Sequence, residues 1–156
     1  MRVEKMVREL VGQCSSVMHA VRLATVVSVV EGIMRSGALR PATIGRSVRG
    51  STLPKHEIKR VDRLLGNPKM TGDRLFLFCA VAHRVLRGAD RPVILVDWTQ
   101  ACGTHVALVA AVPIGGRAVP IYSEVHPLKK LGNAAVERRF LRTLKTIVPP
   151  GCRSII

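Results

Sequence analysis

Aromatic side chains are scarce in this chain, at 3% of 156 residues, with one Trp, one Tyr and three Phe. Acidic side chains are few beside the basic ones, ten against twenty-five, which leaves a formal charge of +15 and a pI near 11.2. That imbalance points to a polyanionic partner, nucleic acid first and an anionic membrane surface second. The membrane alternative is weakened because no exposed aromatic or Leu face accompanies the charge. Cys14, Cys79, Cys102 and Cys152 are far apart, with no Cys-x-x-Cys pair and no Cys/His cluster. Neither zinc nor a disulfide framework is indicated, and the simplest reading is reduced, buried thiols of a cytoplasmic protein. The apolar stretch Val17–Met34 is broken by His19, Arg22 and Glu31, well short of the ~20 residues a membrane span requires. No short apolar core precedes a cleavage-like site, so cytosol is the expected location. Ser15-Ser16 and the cysteines lack a nucleophile–base pattern, which removes hydrolase triads from consideration. There is no internal repeat and no low-complexity segment.

What is present is ample apolar content, 47%, enough for a packed core in one domain or in a small domain plus part of another. The charge is uneven: residues 1–38 carry net +2, residues 39–91 net +8 and residues 92–156 net +5. The first ninety residues read as helical. Val3, Met6, Val7, Leu10 and Val11 recur at helical spacing, and Val21–Met34 is a second helix ending near Ser36-Gly37. A short third helix starts at Pro41 and closes at Arg49-Gly50-Ser51. A fourth runs from about Pro54 to Leu65, where Gly66-Asn67-Pro68 stops it, and a fifth spans about Thr71–Leu86 with Thr71 or Asp73 near its start.

After Arg91-Pro92 the pattern changes to strands: Val93–Asp97, His105–Ile114 and Ala118–Val125, the last two joined by a tight turn at Gly115-Gly116-Arg117. Asn133 opens an amphipathic helix with Val136, Phe140, Leu144 and Ile147 on one face, ended by Pro149-Pro150-Gly151. Ser154-Ile155-Ile156 has the pattern of a further strand. The expected fold class is α+β: an all-helical domain over residues 1–91, then an incomplete mixed sheet of ribonuclease-H-like order over residues 92–156. A sheet strand of two or three residues buries little, which reads as a truncated ending.

The fourth helix carries the densest charge. Pro54, Ile58, Val61 and Leu65 fall on one side, while Lys55, Lys59 and Arg63 form a stripe at i, i+4 and i+8 with His56 and Arg60 beside it. Preceded by a short helix and a Gly-containing turn, Lys55–Leu65 has the character of a helix-turn-helix recognition helix. Its cations suit phosphate contacts, and one or two reach guanine edges if the helix enters a major groove. The plainer reading is a solvated face partly neutralised by Glu57 and Asp62.

Val93-Ile94-Leu95-Val96 read as a buried strand with Asp97 at its end, followed by Trp98 and Thr99. A carboxylate near a core is costly unless its charge is compensated, and a divalent cation is one compensator. The same residues also fit an Asp that caps a strand or opens a turn. Trp98 reads first as a packing residue, and a strand pairing is what would bring His105 near Asp97. Lys129-Lys130 and Arg138-Arg139 suit either phosphate contacts or a solvated face.

Lys55-His56-Glu57-Ile58-Lys59-Arg60-Val61-Asp62-Arg63-Leu64-Leu65-Gly66-Asn67, with Pro92-Val93-Ile94-Leu95-Val96-Asp97-Trp98-Thr99 some thirty residues later, resembles bacterial DDE transposases of the insertion sequence four family. The likeness continues through Gly116-Arg117-Ala118-Val119-Pro120-Ile121-Tyr122 and the helix around Phe140-Leu141. It implies an N-terminal helical domain that binds the terminal inverted repeats of a mobile element as double-stranded DNA. It also implies a ribonuclease-H-like core in which two Asp and one Glu hold two Mg2+ ions for phosphodiester cleavage and strand transfer. Asp97 matches the first Asp, as catalytic residue and metal ligand; Lys55, His56, Lys59, Arg60 and Arg63 fall on the DNA-binding helix. The second Asp of the pattern is expected just beyond Ile156. Glu124 and Glu137, the acids after Asp97, read as surface carboxylates on the wrong elements. The resemblance therefore implies the N-terminal part of a transposase, inactive alone. The alternative is a non-catalytic DNA-binding module that inhibits the intact transposase, by self-association with it or by occupying the element ends.

Overall fold

The computed structural model describes residues 3–12, 14, 16–50 and 52–155. Ser15, Ser51 at the close of the third helix and Ile156 of the last apolar run lie outside the described residues. The protein is mixed α+β, and the chain divides into two compact units, Met1–Ala80 and Val81–Ile156.

The first unit is helical: α1 (Val3–Gly12), α2 (Ala20–Ser36), α3 (Pro41–Ser47), α4 (Pro54–Leu65) and the greater part of α5 (Lys69–Val85). Pro41 and Pro54 sit in the first turns of α3 and α4, where a missing N–H loses no helical bond. Gly37, at φ 63°, ends α2 in the left-handed conformation and donates its N–H to Ile33 O. Asn67 rather than Thr71 or Asp73 opens α5: its side-chain oxygen accepts from Lys69 N at 3.0 Å, so the helix begins two residues earlier than Thr71. Cys14, Met18, Val26, Val29, Ile44, Val61, Leu64 and Ala80 form the core of this unit. On α4 the buried leucine is Leu64; Leu65 is 65% exposed, and Pro54 is exposed too.

Glycine sets the helix spacing. A Cβ on Gly45 of α3 would lie 2.6 Å from Ile58 Cα of α4, and one on Gly32 of α2 would lie 3.0 Å from Ile44 O of α3. Gly45→Ala must therefore push backbone away from backbone, and we expect a loss of about 2 kcal/mol in chemical denaturation. Gly72→Ala on α5 meets open space and should instead stabilise by about 0.5–1 kcal/mol through helix propensity. Equal effects at the two sites would count against the close α3–α4 approach.

The second unit is a three-stranded antiparallel sheet in the order β1 (Leu95–Cys102), β2 (His105–Ile114), β3 (Arg117–Pro127), followed by a 3-10 turn and α6 (Ala134–Ile147). Gly115 and Gly116, at φ 56° and 75°, supply the two left-handed positions of the β2–β3 hairpin. Asn133 caps α6, its Oδ1 accepting from the N–H groups of Ala135 and Val136. α6 buries Val136, Phe140, Leu144 and Ile147, and Phe140 stacks on Tyr122 of β3 at 4.7 Å between ring centres. Ile155 pairs with Val93 as a parallel bridge, with Ile94 N donating to Ile155 O at 2.8 Å.

The first strand departs from its sequence reading. Val93–Val96 is not uniformly buried but alternates: Ile94 is 1% exposed while Val93 and Leu95 are about half exposed. One face of this segment is covered and the other is open, so the inside–outside period is two. The strand also continues past Asp97 to Cys102. No helix among the described residues is long and apolar enough to cross a membrane.

Candidate nucleic-acid interface and the Asp97 strand

Every basic residue singled out on α4 is at the surface: Lys55, His56, Lys59, Arg60 and Arg63 are all exposed. The inward side is made by Glu57, Val61 and Leu64, with Ile58 half-buried at its edge. At about 100° per residue, Lys59 points almost directly away from that side with Lys55 and Arg63 to either side of it, and His56 and Arg60 turn to the flank that Arg63 borders. Glu57 is not a surface neutraliser. It is 2% exposed, accepts from Thr52 Oγ1, and pairs with Arg60 Nη1 at 3.0 Å, so among the described residues Arg60 alone of the five is held by a carboxylate.

His56, Lys59, Arg60 and Arg63 also line an open groove of about 530 Å³, whose other wall is the start of α2 with His19, Val21, Arg22 and Thr25. Arg22 Nε donates to the buried carboxylate of Asp73 on α5. Nothing in the sequence pattern marks His19 or Arg22, because they lie more than thirty residues from α4 and join it only through the helix packing.

Asp97 lies third in β1, opposite Val109, with its side chain exposed and Oδ1 accepting from the Trp98 N–H at 2.8 Å. The desolvation argument for a charge-compensating cation therefore does not apply to it, since its carboxylate already meets water. His105 does not approach it: β2 pairs His105 with Cys102, four residues along the strand from Val109. That is about 13 Å at the usual strand rise.

The two acids that follow Asp97 in the sequence are committed elsewhere. Trp98, Leu108 and Glu124 are aligned across the sheet, so Glu124 shares the face of Trp98 and is on the side opposite Asp97. Glu124 is 7% exposed, not a surface carboxylate; it accepts from Tyr122 OH, from Arg139 Nη2 at 3.0 Å and from His126 Nε2 at 3.0 Å. Burial pushes its carboxyl upward, but the bonds from Tyr122, Arg139 and His126 and the Arg139 charge outweigh burial and hold it below its usual range. Glu137 on α6 is half-buried and accepts from Trp98 Nε1 at 2.9 Å, while Trp98 meets the His126 ring edge-on. The packing role expected for Trp98 thus comes with a polar anchor.

Two Mg2+ ions need several fixed oxygens between them. Among the described residues no three His, Cys, Asp or Glu side chains gather closely enough to hold a metal. Asp97 offers one exposed carboxylate, and Glu124 and Glu137 face the other way. These residues do not fit a metal pair. Cys102 is exposed rather than buried, Cys14 is buried, and all four thiols are free. Lys129, Lys130 and Arg138 are exposed, whereas Arg139 is tied to Glu124. No protein-family model, curated protein or solved structure matches the chain.

Proposed function

We propose that this chain binds duplex DNA through the exposed cations of α4 and belongs to the DNA-transposition machinery, on the resemblance to insertion sequence four transposases. The single observation that carries the binding is the stripe Lys55, Lys59 and Arg63 on the outward side of α4, none of them paired among the described residues. Polyphosphate is the partner that a fixed row of unpaired cations best compensates. The α3–turn–α4 arrangement, with a glycine letting the two helices touch, supports the helix-turn-helix character of this segment.

The sheet supports the second half of the reading. Antiparallel β1–β2–β3, then α6, then a residue returning parallel beside Val93, just ahead of β1, is the order in which a ribonuclease-H-like core opens. Asp97 stands on β1 where the resemblance puts the first metal-binding Asp. Because Glu124 and Glu137 serve Trp98, Tyr122, His126 and Arg139, no cleavage step is assigned to this chain. That same commitment favours the role of a binding module that occupies inverted repeats and inhibits an intact transposase.

The test is fluorescence anisotropy with a labelled mixed-sequence duplex, together with a nicking assay on supercoiled plasmid in Mg2+. Binding should weaken steeply with salt, with no nicked product. Salt-independent binding would remove the DNA reading, and Mg2+-dependent nicking by the pure protein would overturn the non-catalytic role.

A further inference from the structure

The groove beside α4 takes in two cations of the outward stripe, Lys59 and Arg63, and adds groups that the stripe lacks. Four of its lining groups are basic side chains of fixed charge, Arg22, Lys59, Arg60 and Arg63, and two are imidazoles, His19 and His56. Arg22 and Arg60 are matched by Asp73 and Glu57. Lys59, Arg63, His19 and His56 have no hydrogen-bond or ion-pair partner among the described residues. The remaining acid of α4, Asp62, points to the opposite flank of the helix from His56, at the usual 100° per residue. The groove is therefore net positive with both nearby carboxylates already used.

We propose that this groove seats the sugar–phosphate backbone of one strand of the bound duplex, held between the start of α2 and the flank of α4, with His19 and His56 as contacts that strengthen on protonation. The inference rests on the DNA-binding reading and adds a second wall, and a proton dependence, to it. His19 immediately precedes α2, yet its side chain caps no backbone N–H, so the imidazole is not occupied by the helix. Imidazoles ordinarily gain a proton between pH 8 and pH 5, whereas Lys and Arg keep their charge and a phosphodiester stays singly negative throughout. Each imidazole that gains a proton adds one positive charge to the groove. The charged groups around the two rings are Lys59, Arg63, Arg22 and Arg60, with the carboxylates of Asp73, Glu57 and Asp62.

Each added phosphate contact is worth about 0.9 in the slope of log K against log salt. Duplex affinity in about 0.1 M salt should therefore tighten on the order of tenfold or more from pH 8 to pH 6, with a steeper salt slope at pH 6. The experiment is anisotropy with the mixed-sequence duplex at both pH values for wild type, His19→Gln/His56→Gln, and the control His83→Gln/His105→Gln, whose imidazoles are exposed outside the groove. The pH effect, read against each protein's own affinity at pH 8, is expected to persist in the control and to vanish in the groove variant. A pH-independent wild type, or a pH effect that survives in His19→Gln/His56→Gln, would overturn the seat while leaving DNA binding intact. Tighter pH-dependent binding to phosphatidylserine vesicles than to the duplex would assign the groove to lipid and also overturn it. Absence of duplex binding at every pH and salt would remove the DNA-binding reading and the seat together.

Discussion

Replacing Lys55, Lys59 and Arg63 together with alanine should weaken duplex binding about 500-fold in about 0.1 M salt and lower the log–log salt slope by about 2.7. The reasoning is counterion release. Each cation that neutralises a phosphate frees about 0.9 of a condensed ion, and that gain grows as salt is diluted. The three side chains sit on the side of α4 opposite Glu57, Val61 and Leu64, so their removal takes nothing from the core and the helix keeps its length. Circular dichroism and the unfolding midpoint should be close to those of wild type, and titration at several salt concentrations reads the slope directly. A triple variant with unchanged slope would place the phosphate contacts elsewhere. Arg60→Ala is a different experiment, because it also strips the partner from a carboxylate that is 2% exposed, so lost binding there would be mixed with lost stability.

The largest stability effect is expected from Glu124→Ala, about 3 kcal/mol in denaturant unfolding of the sheet unit. Removing this side chain takes away the carboxylate that the hydroxyl of Tyr122, 1% exposed, the half-buried His126 ring and the Arg139 guanidinium share, and losing a buried charged acceptor of this kind costs about 3 kcal/mol. The change also alters the acid limb of stability. Glu124 is held below the usual carboxylate range in the folded protein, so its contribution is fully present above the ordinary Glu value near 4.3. It is lost as the pH falls toward the lowered folded value, where protonation breaks the acceptor pattern. Wild type should therefore lose stability more steeply than Glu124→Ala as the pH drops below about 4.3. Parallel acid limbs would show that the cluster does not hold the carboxylate in its charged form.

Local signals in the sequence were sufficient where one residue type fixes the backbone. The Gly115-Gly116 hairpin, the Asn133 cap, the prolines at the starts of α3 and α4 and the Pro149 stop all coincide with observed element ends. Signals failed where neighbours far along the chain decide. Leu64 and Leu65 both continue the helical spacing from Val61, and only the packing of α4 onto α2 and α3 selects Leu64. A run of four apolar residues carries no period, so Val93–Val96 could not disclose that one side of β1 is open. The exposed stripe on α4 was legible as spacing, but the second wall of its groove was not, since His19 and Arg22 meet it only in the folded unit. The Glu124 cluster had a partial signature. Tyr122, Glu124 and His126 alternate along β3, and alternate residues of a strand share a face. Arg139, from α6, completes the cluster without any sequence cue.

The aromatic content has a practical consequence for watching the two units separately. Both ultraviolet chromophores that absorb near 280 nm, Trp98 and Tyr122, belong to the Val81–Ile156 unit, while the helical unit carries only Phe76 and Phe78. Trp98 is moored to α6 through its indole N–H, so its emission should change when α6 lifts from the sheet and stay silent to melting of α1–α4. Far-ultraviolet dichroism, dominated by helix, reports the complementary half. Non-coincidence of the two signals would then resolve separate transitions without any introduced label.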